Sequence, residues 1–381
     1  MFNFSRENTG LIAKWWRNVD KEILFFFIFL LFLGLFFSFS STTSVMSEKM
    51  NKHTYFFFSK HLIFVIISLF LMFSISIQDN NKLIKFLNLL FFASVLILVM
   101  VPILGTEIKG SKRWLDLPLL PAFQPVELLK PLFIIIVARI IIFEEKISIY
   151  RRYFYSFIIL LFISILLINQ PDIGQTFLLS STWITMIFVS GFNMLLLFIL
   201  AISFVVTIGL LIFLFPEKFG YIILRIKTFL DPKTGDNFQS QKALDAIKQG
   251  GLTGQGMGEG VLKDRVPEAH TDYIIAVISE EFGVLFVLFI VIIFFFVGYK
   301  VLKKVFSGRD EFLKLSLVGL VSLLIIQTFI HIGVNTRLFP TTGMTLPFLS
   351  YGGSSLIGSS IIAGIILNFT RKDTNRHSRN E

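Results

Sequence analysis

The residues best able to do chemistry gather in four short polar stretches set between long apolar runs. One reads Pro267-Glu268-Ala269-His270-Thr271-Asp272-Tyr273 and leads straight into an apolar segment. It sets two acids, a histidine and a threonine at the boundary of that segment. The same pattern suits a helix start, with Thr271 as N-cap and Asp272 in the first turn against the helix dipole. As a zinc site the stretch is weak, because His270 has only carboxylate neighbours and no second histidine nearby.

A second stretch runs Gly110-Ser111-Lys112-Arg113-Trp114-Leu115-Asp116 and then Phe123-Gln124-Pro125-Val126-Glu127-Leu128-Leu129-Lys130. Glu127 and Lys130 are three apart at the start of an apolar run, so they share one helix face. Either they pair with each other and anchor that helix end, or Lys130 joins Lys112 and Arg113 in attracting an anionic substrate. Charges at membrane depth are costly and more often functional than in water. A third stretch, Asn169-Gln170-Pro171-Asp172-Ile173-Gly174-Gln175, is a turn in which Asp172 either caps the next helix or walls a polar cavity. The fourth, from Asn335 to Ser355, contains Arg337 and Ser350 and is too rich in proline and glycine to be helical. Such backbone is tolerated at a membrane edge where it lines a cavity.

Two more features bear on chemistry. Glu280 and Glu281 sit side by side inside an apolar run, as a proton or cation site or as partners of a basic residue such as Lys130. The glycine cluster from Gly250 to Gly258 resembles a phosphate cradle only loosely, since it lacks the Lys-Ser/Thr ending of a nucleotide-binding loop. No nucleotide cofactor is expected.

The elements that must position these groups follow from composition. The chain has 381 residues, of which 54% are hydrophobic and 16% charged, with a mean hydropathy of +0.77. A soluble domain carries about 25% charged residues. Cytoplasmic enzymes, disordered chains and secreted disulfide scaffolds are excluded, and a polytopic membrane protein remains. The net charge of +10 fits basic residues flanking spans and meeting membrane lipid, and no nucleic-acid motif accompanies it. Cysteine is absent, which removes thiol and iron–sulfur chemistry.

The expected fold is all-α, with about ten transmembrane helices near 23–40, 57–77, 83–103, 127–143, 153–169, 175–191, 194–215, 273–299, 313–334 and 349–369. Residues 1–22 form an amphipathic cytoplasmic segment, 23–369 the membrane domain, and 370–381 a cytoplasmic tail. The long loop 216–272, between spans seven and eight, lies outside, with short surface helices and a glycine-rich turn. Lys146, Arg151 and Arg152, then Lys300, Lys303, Lys304 and Arg309, then Arg371, Lys372, Arg376 and Arg379 put both termini in the cytoplasm. Lys109, Lys112 and Arg113 depart from that rule and so need another explanation.

The stretches quoted above, above all 267–272 and Gly343-Met344-Thr345-Leu346-Pro347, resemble the SEDS family (shape, elongation, division and sporulation), and its division branch more than its elongation branch. The resemblance covers almost the whole chain. Val126, Gln175 and Ser279 depart from it, none of them at a charged position. It implies a ten-span fold and peptidoglycan glycosyltransferase activity on lipid II at the division septum of the bacterial inner membrane. It also implies a class B penicillin-binding protein as transpeptidase partner, among other division proteins, and puts the family's essential aspartate on Asp272.

That chemistry needs a base for a sugar hydroxyl and cations for a lipid diphosphate. Asp272 is the expected base. Lys112, Arg113 and Lys130, with or without a divalent Mg²⁺ or Mn²⁺, are expected to hold the diphosphate. Glu127, His270, Thr271, Arg337 and Ser350 complete the expected binding residues. The rival classes are a lipid II flippase, which suits many spans and in-membrane charge equally, and a non-catalytic division scaffold. Within the family an elongation-type polymerase is the alternative.

Overall fold

The computed structural model describes residues 10–41, 55–108, 111–116, 122–143, 147–231, 238–308 and 310–372. Lys109, Gly110, Lys146, Arg309, Arg376 and Arg379 lie outside them. In chain order the elements are α1 (Leu11–Asn18), α2 (Lys21–Ser41), α3 (Phe56–Ile77), α4 (Asn80–Leu104), β1 (Thr106–Ile108), β2 (Ser111–Trp114), α5 (Pro125–Phe143), α6 (Ile149–Asn169), α7 (Ile173–Val189) and α8 (Met194–Leu214). Then come α9 (Pro216–Leu230), α10 (Phe238–Gly250), α11 (Ile274–Ser307), α12 (Glu311–Asn335) and α13 (Gly353–Phe369).

Each apolar segment read from the sequence overlaps a helix, although the last helix starts at Gly353 and not at Leu349. Among the described residues six helices are long and apolar enough to cross a membrane, and α7 and α13 are shorter apolar ones. At 1.5 Å per residue, a helix of ~20 residues matches a hydrocarbon core of ~30 Å. Large apolar side chains such as Phe70, Phe92 and Ile103 are exposed on the perimeter, where lipid replaces water. The core lies along α5, α12 and α13, whose side chains are buried along most of their length.

The two ends of the bundle differ in chemistry. At one end Asp20, Asp79 and Asp310 accept backbone N–H groups at the starts of α2, α4 and α12. There Lys304 pairs with Asp20 at 3.1 Å and Lys300 with Glu22, which ties the end of α11 to the start of α2. The Lys372 N–H donates to the Asn18 carbonyl at 3.0 Å, so both described chain ends share this face. The opposite end carries the polar stretches. One element there is unexpected in an all-helical reading, a short antiparallel β1–β2 hairpin that sets Lys112 across from Glu107.

The loop 216–272 contains two helices, α9 and α10, followed by the glycine turn, which does not hold a phosphate-like cradle open. It closes on α11. Gly283 interrupts that helix with φ 81° and ψ 169°. A helix would bond the N–H groups of residues 284 and 285 to the carbonyls of 280 and 281. Here Val284 and Leu285 donate to the carbonyls of Gly251 and Leu252 at 3.0 and 3.2 Å. The carbonyls of Glu280 and Glu281 accept from Gln255 and Gly256 at 2.9 and 3.0 Å. The turn thus satisfies all four backbone groups that the kink releases. It can approach this closely only without side chains, since a Cβ on Gly254 would lie 2.3 Å from the Glu281 carbonyl oxygen.

Glu280 and Glu281 finish the same joint. Glu280 accepts from the N–H groups of Leu262 and Lys263, both at 2.7 Å. Glu281 is bonded by Lys263 Nζ at 2.5 Å, by the Gly258 N–H at 3.2 Å and by Ser40 Oγ. The basic partner of this pair is therefore Lys263 and not Lys130.

Candidate functional site

The polar end encloses a cavity of about 1100 Å³. Its walls come from the starts of α3, α5 and α13, from β2 and α9, and from the segments 268–273 and 341–345. Asp272 and Thr271 line it, and so do Arg113 and Glu127.

Asp272 is half-buried and is held by its backbone. Three consecutive carbonyls are fixed: His270 accepts from the Tyr351 N–H at 2.9 Å, Thr271 from Ser350 Oγ at 2.7 Å, and Asp272 from Asn335 Nδ2 at 3.0 Å. Ser350 Oγ in turn accepts the Leu346 N–H at 2.8 Å. The helix-start reading of this stretch does not hold. α11 begins at Ile274 with Tyr273 at the N-cap and no side-chain cap hydrogen bond. Thr271 Oγ1 instead donates to Glu268, at 3.3 Å to its carbonyl and 3.2 Å to its carboxylate. The Asp272 side chain lines the cavity, where a Cβ on Gly343 would come within 3.6 Å of Oδ2.

A polar ladder on α12 sets the opposite side of this segment. Gln327, His331 and Asn335 are spaced by four, so they share one helix face. Gln327 Nε2 donates to the Thr345 carbonyl at 2.9 Å, and His331 Nδ1 lies 2.8 Å from the Met344 carbonyl. Asn335 bridges the Asp272 carbonyl and the Ala276 N–H, the latter at 3.3 Å. The i, i+4, i+8 spacing inside an apolar span was the readable signal for this ladder.

Glu127 and Lys130 form a buried ion pair at 2.8 Å, with side-chain exposures of 4% and 2%. Gln175 Nε2 donates to Glu127 at 2.9 Å, and Lys130 donates to Gln327 Oε1 at 3.1 Å. Lys130 therefore stands behind the wall, locked between α5 and α12, and does not line the cavity. Arg113 does line it. Its Nε donates to the Gln170 carbonyl at 3.0 Å, Nη2 bonds the Pro171 carbonyl, and Nε lies 4.0 Å from Asp172 Oδ2. Asp172 caps α7 through the Gln175 N–H at 3.3 Å and also walls this corner, accepting from Gln124 Nε2 at 3.2 Å. Burial pushes its carboxyl above the usual range, against the pull of Arg113.

The other expected binding residues take supporting positions. Lys112 is exposed on the hairpin and does not line the cavity. His270 is buried with its ring 5.5 Å from those of Phe57 and Tyr351. Arg337 donates to Gln241 Oε1 at 2.7 Å and ties the segment 336–352 to α10. Ser350 is the bracket described above. Two cations that the sequence did not assign to the site, Lys60 on α3 and Arg225 on α9, line the cavity. Tyr221 and Arg225 are spaced by four on α9, a signal that the apolar pattern of the neighbouring spans hid.

Among the described residues no three His, Cys, Asp or Glu side chains come together in a group that could hold a metal ion. A resident Mg²⁺ or Mn²⁺ therefore has no preformed cage of three such ligands among those residues.

The family model described as "Cell cycle protein" (FtsW/RodA/SpoVE) matches residues 21–375. A probable peptidoglycan glycosyltransferase FtsW of Caulobacter vibrioides is 31% identical, covering 97% of this chain and 93% of that protein. The corresponding protein of Trichlorobacter lovleyi is 35% identical over 87% of each chain. Stage V sporulation protein E of Bacillus subtilis is 32% identical, over 92% of this chain and 97% of the other. Among solved structures, a chain of a peptidoglycan synthase complex superposes with a TM-score of 0.73 at 22% identity, covering 92% of this chain and 97% of that one. The rod shape determining protein RodA of Thermus thermophilus does so with a TM-score of 0.67 at 23% identity, over 93% and 97%. These polytopic helical folds match the one described here, and the chain belongs to the FtsW/RodA/SpoVE family.

Proposed function

We propose that the protein is a peptidoglycan glycosyltransferase that polymerises lipid II, with Asp272 as general base. The observation that carries this reading is a carboxylate in a cavity wall, positioned through its backbone and not engaged in capping a helix. A sugar hydroxyl is a poor nucleophile until its proton is accepted. Asp272 takes that proton as the hydroxyl oxygen bonds the anomeric carbon of the donor. The bond from that carbon to the diphosphate oxygen breaks, and the lipid diphosphate leaves as an anion that needs no protonation. The transition state carries oxocarbenium character, as in glycoside hydrolysis. Arg113 faces the departing charge, for which a planar guanidinium offers paired donors. Glu127 and Lys130 keep the start of α5 in position, and Thr271 and Ser350 hold the backbone that leads into the base.

The polar residues gather at one end of the bundle, which supports surface chemistry over carriage of a head group across the membrane. The protein is read as a multi-pass inner-membrane protein with both termini in the cytoplasm, acting at the septum. The basic end loops and relatives named FtsW support that reading. A solved structural neighbour belongs to a complex described as coordinating polymerization and crosslinking, which supports a transpeptidase of the class B penicillin-binding type as partner here. The test is glycan formation from purified lipid II by the complex carrying Asp272→Asn. Loss of polymer with an intact complex supports the base, and unchanged polymer rejects it.

A further inference from the structure

A helix N-capped by Asp272 would open on one bond, from the Ala276 N–H to the Asp272 carbonyl, because the N-cap carbonyl accepts the first intrahelical hydrogen bond. That bond is replaced here. Asn335 sets its side-chain amide between the two groups: Nδ2 donates to the Asp272 carbonyl at 3.0 Å, and Oδ1 accepts from the Ala276 N–H at 3.3 Å. The Ala276 N–H also donates to the Tyr273 carbonyl at 3.0 Å, in a tighter 3₁₀-type turn. α11 therefore starts with Tyr273, and not Asp272, at its N-cap.

The wedge is itself rigid. Asn335 is fully buried, and its Nδ2 also donates to the His331 carbonyl at 2.9 Å. Two carbonyls on Nδ2 and an N–H on Oδ1 leave the amide a single orientation. Asn335 is the last residue of α12. That helix end is closed by the Thr336 N–H on the Ile332 carbonyl at 2.9 Å and the Leu338 N–H on the Gly333 carbonyl at 2.7 Å. The carbonyls of His270 and Thr271 are engaged separately, by the Tyr351 N–H and Ser350 Oγ. Moving the N-cap by one residue breaks neither of those bonds, so the choice between the two helix starts falls to Asn335.

We propose that Asn335 is a positioning residue that keeps Asp272 from becoming the N-cap of α11, and so keeps its carboxylate available as a base. The catalytic half of this inference rests on the glycosyltransferase reading. As an N-cap, the carboxylate would accept from the N–H of Ile274 or Ile275 and lie in the positive field of the helix start. Backbone N–H bonds and that field both favour the charged carboxylate, which makes it a weaker proton acceptor.

The test is a pair of double-mutant cycles built on Asn335→Leu, which keeps the branched shape of asparagine and removes both hydrogen-bonding arms. The first cycle measures the melting temperature of the full chain in detergent, with and without Asp272→Ala. Asp272 caps a helix only in the Asn335→Leu background. Asp272→Ala should therefore lower the melting temperature by about 1–4 °C more there than in the wild-type background. The second cycle measures glycan formation from purified lipid II by the complex with its transpeptidase partner. Asn335→Leu should lower kcat on the order of 10²-fold with KM for lipid II unchanged. It should not lower the residual rate of Asp272→Asn any further. If Asn335→Leu does not fold, Asn335→Ala is read in its place.

An equal effect of Asp272→Ala in both backgrounds would overturn the wedge. A wild-type rate from Asn335→Leu would overturn the positioning role. So would a loss of rate that persists in the Asp272→Asn protein, which would reveal general damage to the site. The glycosyltransferase reading is scored separately. Wild-type glycan synthesis by Asp272→Asn would sink the base, while unequal melting shifts would leave the wedge standing.

Discussion

Lys130→Ala separates anchoring from direct diphosphate contact. Lys130 and Glu127 are 2.8 Å apart and almost fully buried, and each has one further partner, Gln327 and Gln175. Removing the ammonium leaves a carboxylate in a dry wall with one amide donor. Breaking a buried pair from one side costs about 3–5 kcal/mol. The double change Glu127→Gln with Lys130→Ala leaves no buried charge. It retains an acceptor for Gln175 but leaves the Gln327 oxygen and the new amide N–H groups at position 127 without their former partner, at about 1–3 kcal/mol for each buried group. The cycle should therefore show a coupling of several kcal/mol, far above the ~1 kcal/mol ceiling of exposed pairs. Thermal unfolding in detergent measures the stability of all four proteins, and lipid II kinetics are recorded alongside. A Lys130→Ala protein with wild-type stability and a raised KM would refute the anchoring argument and return Lys130 to the diphosphate.

Three further outcomes follow from the same geometry. Burial, opposed by Arg113 and the Gln175 N–H, holds the Asp172 carboxyl above its usual range. A raised folded-state value means a contribution that is complete below the unfolded pKa of ~3.9 and lost as pH rises through the folded value. Asp172→Asn keeps a cap and removes that loss. Its melting temperature should equal or exceed wild type at about pH 7.5, with the gap closing toward about pH 4.5; a deficit at pH 7.5 that acid repairs would contradict this. Gly283→Ala would set a Cβ 2.2 Å from the Leu252 carbonyl oxygen at φ 81°, so the backbone strain alone costs about 1–3 kcal/mol. Faster hydrogen exchange at residues 250–258 is expected, and unchanged protection would show that the turn does not depend on the kink. Single cysteines at Leu252, which is exposed, and at Lys304 test orientation in this cysteine-free chain. An impermeant maleimide on intact cells should label position 252, and labelling of 304 alone would invert the topology.

The helices were legible because lipid forces long apolar runs to satisfy their own backbone, so composition and run length sufficed. Asp272 was legible as a position, but its two readings, base and cap, were not separable. The answer depended on where α11 begins, and that is set by distant partners in Asn335, Ser350 and Tyr351. Glu281 and Lys263 could be seen as charges but not as partners. Their pairing requires the kink at Gly283, a positive-φ event that a single glycine in an apolar run does not announce. Lys130 could be read either as the partner of Glu127 or as a cation for the substrate, and its place at the start of an apolar run did not separate the two. Its concealment comes from Gln327, nearly two hundred residues away. Arg225 was hidden for the opposite reason, since it lies in a loop whose fold against α6 no local pattern reveals.

The central claim is that one carboxylate, Asp272, accepts the proton of the acceptor hydroxyl. Asp272→Asn tests it with little structural disturbance: Tyr273 and not Asp272 occupies the N-cap of α11, and the bond from Asn335 goes to the backbone carbonyl. The measurement is the initial rate of glycan formation from purified lipid II by the variant in complex with its transpeptidase partner. Melting temperature and complex yield are recorded on the same preparation. The account predicts a rate lower by about 10²–10⁴-fold with both controls unchanged. Polymer made at the wild-type rate by a folded, partner-bound Asp272→Asn protein would contradict it.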